Sequence, residues 1–158
     1  MGHLISFRGN CIPSEEGIGT LNPFKKCSLL GNCMSLLFGD NASTNYSLIG
    51  YDYAFHDLFF ANNYIQHVSE NFLPATTLSI GCYNAMFHMN IELVTPPSLP
   101  ADTLATRCYD SMFQYCSKLT TAPELPAITL ADYCYNGMFR GCTALTTAPE
   151  LPAITLVT

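Results

Sequence analysis

Apolar residues recur along this chain in blocks rather than at one helical or strand period. From residue 73 onward, an aromatic and apolar block alternates with a stretch rich in Thr and Pro. The blocks are "CYNAMF" (Cys82 to Phe87), "CYDSMF" (Cys108 to Phe113) and "CYNGMF" (Cys134 to Phe139), and Leu-Pro pairs at Leu73-Pro74, Leu99-Pro100, Leu125-Pro126 and Leu151-Pro152 punctuate them with a constant step of 26 residues. Residues 99–124 and 125–150 share 17 of 26 positions, and "LTTAPELPAITL" stands verbatim at Leu119–Leu130 and again at Leu145–Leu156. An active site needs unlike groups converging on one point. Identical copies at a fixed period of 20 to 50 residues instead suit units that bury their apolar faces against one another.

The unit reads "LPAxTLxxxCYxxMFxxCxxLTTAPE". Its Leu-Pro opens a turn, since Pro fixes its own φ and holds the residue before it extended. "ADYCYNGMFRGC" places Tyr133, Cys134, Met138 and Phe139 partly at helical spacing, with Asp132 as a cap and Gly141 at the end, which predicts a short helix or 3₁₀ turn. "ALTTAPE" predicts a brief strand. The expected fold class is therefore an α/β solenoid: a leucine-rich-repeat-like right-handed coil of short parallel strands and short helices or 3₁₀ turns. Repeats fall at 73–98, 99–124 and 125–150, a partial unit at 151–158, and a degenerate unit at 47–72, in which Phe55 aligns with Tyr83 and Phe59 with Phe87 before two extra residues. Residues 1–46 do not share the period. With "LISF" as strand, "RGNCIPSEEGIG" as loop and "CSLLGNCMSLLFGD" as an apolar segment, they read as a small N-terminal β-containing cap shielding the first unit.

Composition narrows the function classes. Of the 158 residues 49% are apolar and only 11% charged, against about 25% charged in an average soluble domain. Burial against neighbouring units or other chains follows. The net charge is −6 and the six cations are scattered, so a nucleic-acid partner is not expected. No apolar run reaches the ~18 residues of a membrane span. The start lacks a basic and then apolar leader. Either the protein is intracellular or the sequence begins after a signal, and the final unit, which stops after eight residues, favours trimming.

At these residues the chain resembles the BspA-like leucine-rich-repeat surface proteins of anaerobic gut and oral bacteria. The family's "AFxxC…L" repeat core is similar to "MFRGCTALTTAPELP" (Met138–Pro152), "MFQYCSKLTTAPELP" (Met112–Pro126) and "AMFHMNIELVTPPSLP" (Ala85–Pro100), although Asn90 stands where Cys116 and Cys142 stand. The resemblance covers 73–158 well and 47–72 loosely. It implies a secreted or cell-surface location and adhesion to host matrix or other cells, and it brings no catalytic residues and no cofactor.

Read directly, the chemistry-bearing residues point the same way. Cys82, Cys108 and Cys134 share one unit position, and helices about 10 Å apart would hold them beyond the 4.4 to 6.8 Å Cα spacing of a disulfide. They read as buried thiols. A bridge among Cys11, Cys27 and Cys33 is left open. The spacing of cysteines and of His3, His56, His67 and His88 fits no zinc site. His56-Asp57 is the one adjacent acid and imidazole, with no nucleophile elbow and no phosphate loop anywhere. Asn41 and Asn45 match a glycosylation pattern and read as polar loop. With Leu119, Ala122 and Leu125 inward, the outward strand face consists of Thr95, Pro97, Ser98, Thr121, Pro123, Glu124, Thr147, Pro149 and Glu150. The expected function is a surface or secreted binding module offering that face to a protein or glycan, without turnover. A structural spacer is the alternative, and a hydrolase using His56-Asp57 a third reading. The apolar end at Leu151 to Leu156 is expected to pair with another copy.

Overall fold

The structure, a computed structural model, describes residues 26–156. Strand β1 (Cys27–Leu29) is followed by the one α-helix among the described residues, α1 (Ser35–Phe38), and a 3₁₀ segment at Gly39–Ser43. Strand β2 (Ile65–Val68) precedes a second 3₁₀ turn at Glu70–Phe72, and strands β3 (Thr129–Leu130) and β4 (Thr155–Leu156) close the described chain. The strands pair in parallel, β1 with β2 and β3 with β4, and isolated parallel bridges link Ser47 to Thr77, Thr77 to Thr103, and His67 to Thr95. No helix among the described residues is long and apolar enough to cross a membrane.

This overturns the expected fold class. A leucine-rich-repeat coil with a strand and a helix in every unit does not form: most of the described chain lies outside regular elements, with one four-residue helix and strands of two to four residues. The expected helix around residues 132–142 is a run of turns, and the strand expected in "ALTTAPE" is absent, two-residue strands lying in "AITL" instead. "LISF" and "RGNCIPSEEGIG" lie outside the described residues.

The reason is backbone handedness. Left-handed φ recurs at every fourth residue: Tyr53, Asp57 and Ala61; Gly81, Ala85 and Met89; Arg107, Ser111 and Tyr115; Tyr133, Gly137 and Gly141. A right-handed helix cannot pass through such positions. Between them even-numbered residues donate backward within the chain, as His56 N–H does to the Tyr53 carbonyl (3.2 Å) and Leu58 N–H to that of Phe55 (3.3 Å). Odd-numbered residues donate outward to the next copy: Phe55 to Cys82 (2.9 Å), Tyr83 to Cys108 (3.0 Å), Tyr109 to Cys134 (3.0 Å). Each of the runs at 53–61, 81–89 and 107–115 thus satisfies half its amides locally and half through its neighbour, which meets the requirement that buried backbone groups be paired.

A strict four-residue step also keeps the same side chains inward. Cys82, Met86 and Asn90 are buried, as are Cys108, Met112 and Cys116, then Cys134, Met138 and Cys142. Beside them run two columns of rings. Phe55, Tyr83, Tyr109 and Tyr135 stack at 5.6, 5.8 and 6.0 Å. Phe59, Phe87, Phe113 and Phe139 stack at 5.4, 5.8 and 5.9 Å. The rings are within 16° of parallel at centroid distances typical of offset stacking.

The cysteine ladder serves this arrangement. Cys116 Sγ donates to the Phe87 carbonyl (3.1 Å) and Cys142 Sγ to that of Phe113 (3.0 Å). Asn90, at the same position one copy earlier, donates through Nδ2 to the Phe59 carbonyl (2.6 Å). A side-chain donor is therefore required there, and Asn and Cys both supply it. Asn does so at a cost, because its Oδ1 is buried without a partner.

Candidate binding surface

The Thr- and Pro-rich stretches lie together on one side. A shallow groove of about 590 Å³ runs across them, lined by Glu70, Thr95, Pro97, Ser98, Thr121, Pro123 and Glu124, among others. A second depression of about 350 Å³ continues it through Pro123 and Glu124 to Pro149 and Glu150. Register across the copies is kept by backbone bonds such as Ser98 N–H to the Glu70 carbonyl (3.1 Å) and Val68 N–H to that of Thr95 (3.0 Å).

Thr95, Thr121, Thr147, Glu124 and Glu150 are exposed, with Ser98 and Pro149 half-buried. Pro97 and Pro123 are buried, contrary to the outward placement expected of them. Alternation of facing holds only in extended strand, and these stretches are not strand, so the prolines turn inward and form the groove floor. Leu119 and Leu125 are buried as expected, while Ala122 is half-buried. Glu70 lines the groove and escaped the sequence reading because the two extra residues before Leu73-Pro74 shift it out of the 26-residue register. That irregularity was the available signal.

Charge is sparse around the groove. Neither Glu124 nor Glu150 is ion-paired among the described residues. Elsewhere Glu92 receives Lys118 Nζ at 2.7 and 2.8 Å and Lys26 Nζ at 2.7 Å. The hydrogen bond from Lys118, then that from Lys26, holds its carboxyl below the usual range. His67 Nδ1 lies 2.9 Å from Thr95 Oγ1 at the groove end.

His56 Nδ1 meets Asp57 Oδ2 at 3.3 Å, with both side chains over two-fifths exposed and Asp57 in the left-handed region. Among the described residues no hydroxyl or thiol hydrogen-bonds to that imidazole. The pair is a surface contact beside the Tyr53 ring, 6.0 Å away.

Cys33, Cys82, Cys108, Cys116, Cys134 and Cys142 are buried thiols. The helix-diameter separation expected to keep them apart does not exist, since adjacent copies are hydrogen-bonded backbone to backbone. Burial pushes the thiols of Cys33, Cys82 and Cys108 up to about 12 and that of Cys142 to about 11, so they carry no nucleophilic thiolate at neutral pH. No group of three or more His, Cys, Asp or Glu side chains among the described residues could hold a metal ion. Cys11 lies outside the described residues. Asn41 is exposed in its 3₁₀ turn, and Asn45 is half-buried, accepting the Ser47 amide at 3.1 Å.

Comparison with protein-family models, with curated proteins and with solved structures finds no match to this chain.

Proposed function

We propose that this protein is a non-enzymatic binding module, secreted or displayed at a cell surface, that engages a protein or glycan through the Thr- and Pro-lined groove. The observation that carries this reading is the recurrence of small polar and acidic groups along one depression: Thr95 and Thr121 are exposed in it in turn, with Glu124 and Glu150 beside them, while Thr147 is exposed outside its lining. Buried prolines stiffen the floor, so little conformational freedom is lost when a ligand settles there. Binding would sum weak contacts over successive copies and leave the ligand chemically unchanged. The surface location and a matrix ligand rest on the resemblance of Met138–Pro152 and its earlier copies to the BspA-like repeat. A spacer role, with no ligand of its own, is the second reading. The exposed Leu151 and Ile154 favour it, since they offer apolar contact to another copy of the chain.

The test is binding of the purified chain to immobilised extracellular-matrix proteins and to a glycan array. The wild type is expected to bind at least one component, and the double substitution Thr121→Arg with Glu124→Arg to lose that binding. Met89→Arg, at an exposed left-handed position away from the groove, is expected to retain it. Absence of binding by the wild type, or equal loss in both variants, refutes the groove.

A further inference from the structure

Backbone bonding between neighbouring copies lapses at the groove. Met89 N–H donates to the Gln114 carbonyl (2.8 Å) and, farther along, Arg107 N–H to that of Asp132 (2.9 Å), but between these two bonds no backbone group of residues 90–106 pairs with one of 115–131. The groove of about 590 Å³ occupies that gap, with 95–100 as one wall and 121–126 as the other. Behind the first wall bonding is intact: Val94 N–H reaches the Gln66 carbonyl (2.8 Å) and Ser98 N–H that of Glu70 (3.1 Å).

Proline explains the lapse. Pro96, Pro97 and Pro100 stand in one wall and Pro123 and Pro126 in the other, and each lacks the N–H that a ladder needs. Their carbonyls remain, and none of the five accepts a hydrogen bond among the described residues. In the first wall the amides of Thr95 and Ser98 are already engaged with Gln66 and Glu70. The groove is therefore rich in acceptors and poor in donors. Charge acts in the same direction. Glu70 and Glu124 line it, both exposed and neither ion-paired among the described residues, and no described Lys, Arg or His lines this groove or its continuation.

A ligand suited to these walls brings donors and positive charge. Glycan hydroxyls must accept as well as donate, and an anionic glycan would be repelled by the carboxylates. A guanidinium has five N–H donors, no acceptor and a permanent charge, and its planar fork matches a carboxylate. Its aliphatic stem can lie on an apolar floor such as buried Pro97 and Pro123. We infer that the ligand is a protein, of which an extended, arginine-bearing segment occupies the groove with its guanidinium groups on Glu70, Glu124 and the proline carbonyls. The amides of Thr121, Ala122 and Glu124, which have no acceptor among the described residues, suit the main-chain carbonyls of that segment. The inference rests on the groove being the binding surface and names what it binds.

The test is calorimetric titration of the full chain with a short peptide of alternating Gly and Arg, and with the same peptide carrying citrulline, which keeps the shape of arginine and loses its charge. The wild type is expected to bind the arginine peptide saturably and the citrulline peptide not at all. Glu70→Gln and Glu124→Gln, both at exposed positions, should each weaken binding by about tenfold, the scale of one hydrogen bond to a charged group. Asp132→Asn, which removes an exposed carboxylate outside the groove, should leave it unchanged. Equal binding of the citrulline peptide, an unchanged Kd in both Gln variants, or equal weakening by Asp132→Asn overturns the inference. A wild type that ignores the arginine peptide, yet binds a matrix protein or glycan in a manner abolished by Thr121→Arg with Glu124→Arg, overturns it and leaves the groove standing; one that binds none of these overturns both.

Discussion

Replacing Phe113 by Ala removes one of the two interior rings of the phenylalanine column. Phe113 is fully buried and lies between Phe87 at 5.8 Å and Phe139 at 5.9 Å, nearly parallel to both. Truncating a core Phe to Ala costs about 3–5 kcal/mol, partly the transfer of the lost atoms and partly the cavity left behind. Two stacked contacts, worth about 0.5–1.5 kcal/mol each, disappear within that sum. Domains hold only about 5–15 kcal/mol in all, so the loss is a large share. In a chain of this length it corresponds to a fall in Tm of roughly 6–20 °C. The control is Phe60→Ala, whose ring is 48% exposed and makes an edge contact with His88 at 5.1 Å. That change is expected to cost under about 1 kcal/mol. Guanidinium unfolding followed by circular dichroism and by tyrosine fluorescence, the chain having no Trp, measures both. Equal destabilisation by the two substitutions would refute the interior position assigned to Phe113.

Asn90→Cys, which copies the residue found at 116 and 142, keeps a donor to the Phe59 carbonyl and removes the unpartnered Oδ1; it should raise stability by about 1 kcal/mol in a reduced chemical-denaturation experiment, and Asn90→Ala should lower it. Ala61→Gly relieves a side chain held at φ 52°, so it should be neutral or stabilising by up to about 1 kcal/mol, whereas Ala144→Gly, outside the left-handed set, should cost about 0.5–1 kcal/mol by the same assay. Burial lowers the pKa of His88, so the unfolded chain takes up its proton first: stability is undiminished above about pH 6.5 and declines below it, and His88→Gln should flatten that part of the stability–pH curve. The lowered pKa of Glu92 acts at more acid pH, its contribution being present above the unfolded carboxylate pKa and lost as pH falls through the folded one; the difference between wild type and Glu92→Gln should shrink toward pH 3 and also in 1 M salt.

The 26-residue period was legible, and with it the neighbours of Phe87, Phe113 and Phe139, because repeated aromatic positions must find repeated partners. Conformation within the period was not. Cys134, Met138 and Cys142 lie four apart, and that spacing satisfies a helix and a run of four-residue turns almost equally over so short a stretch. Gly137 was the discriminating residue: a glycine midway through "CYNGMFRGC" marks the left-handed position that Gly141 repeats four residues later. In the other copies Ala85, Ser111 and Arg107 occupy left-handed positions with no sign of it in their residue type. The groove was legible in outline from Thr95, Thr121, Glu124 and Glu150. Its floor was not, since assigning Pro97 and Pro123 outward assumed strand alternation in segments whose proline content denies them a ladder.

Residues one copy apart should be in direct contact, and the rings show this most directly. In a nuclear Overhauser spectrum of protein carrying labelled phenylalanine, cross-peaks are expected between the ring protons of Phe87 and Phe113 and between those of Phe113 and Phe139, whose centroids are 5.8 and 5.9 Å apart. Folded protein giving well-resolved Phe113 resonances but no cross-peak to either neighbour would contradict the account.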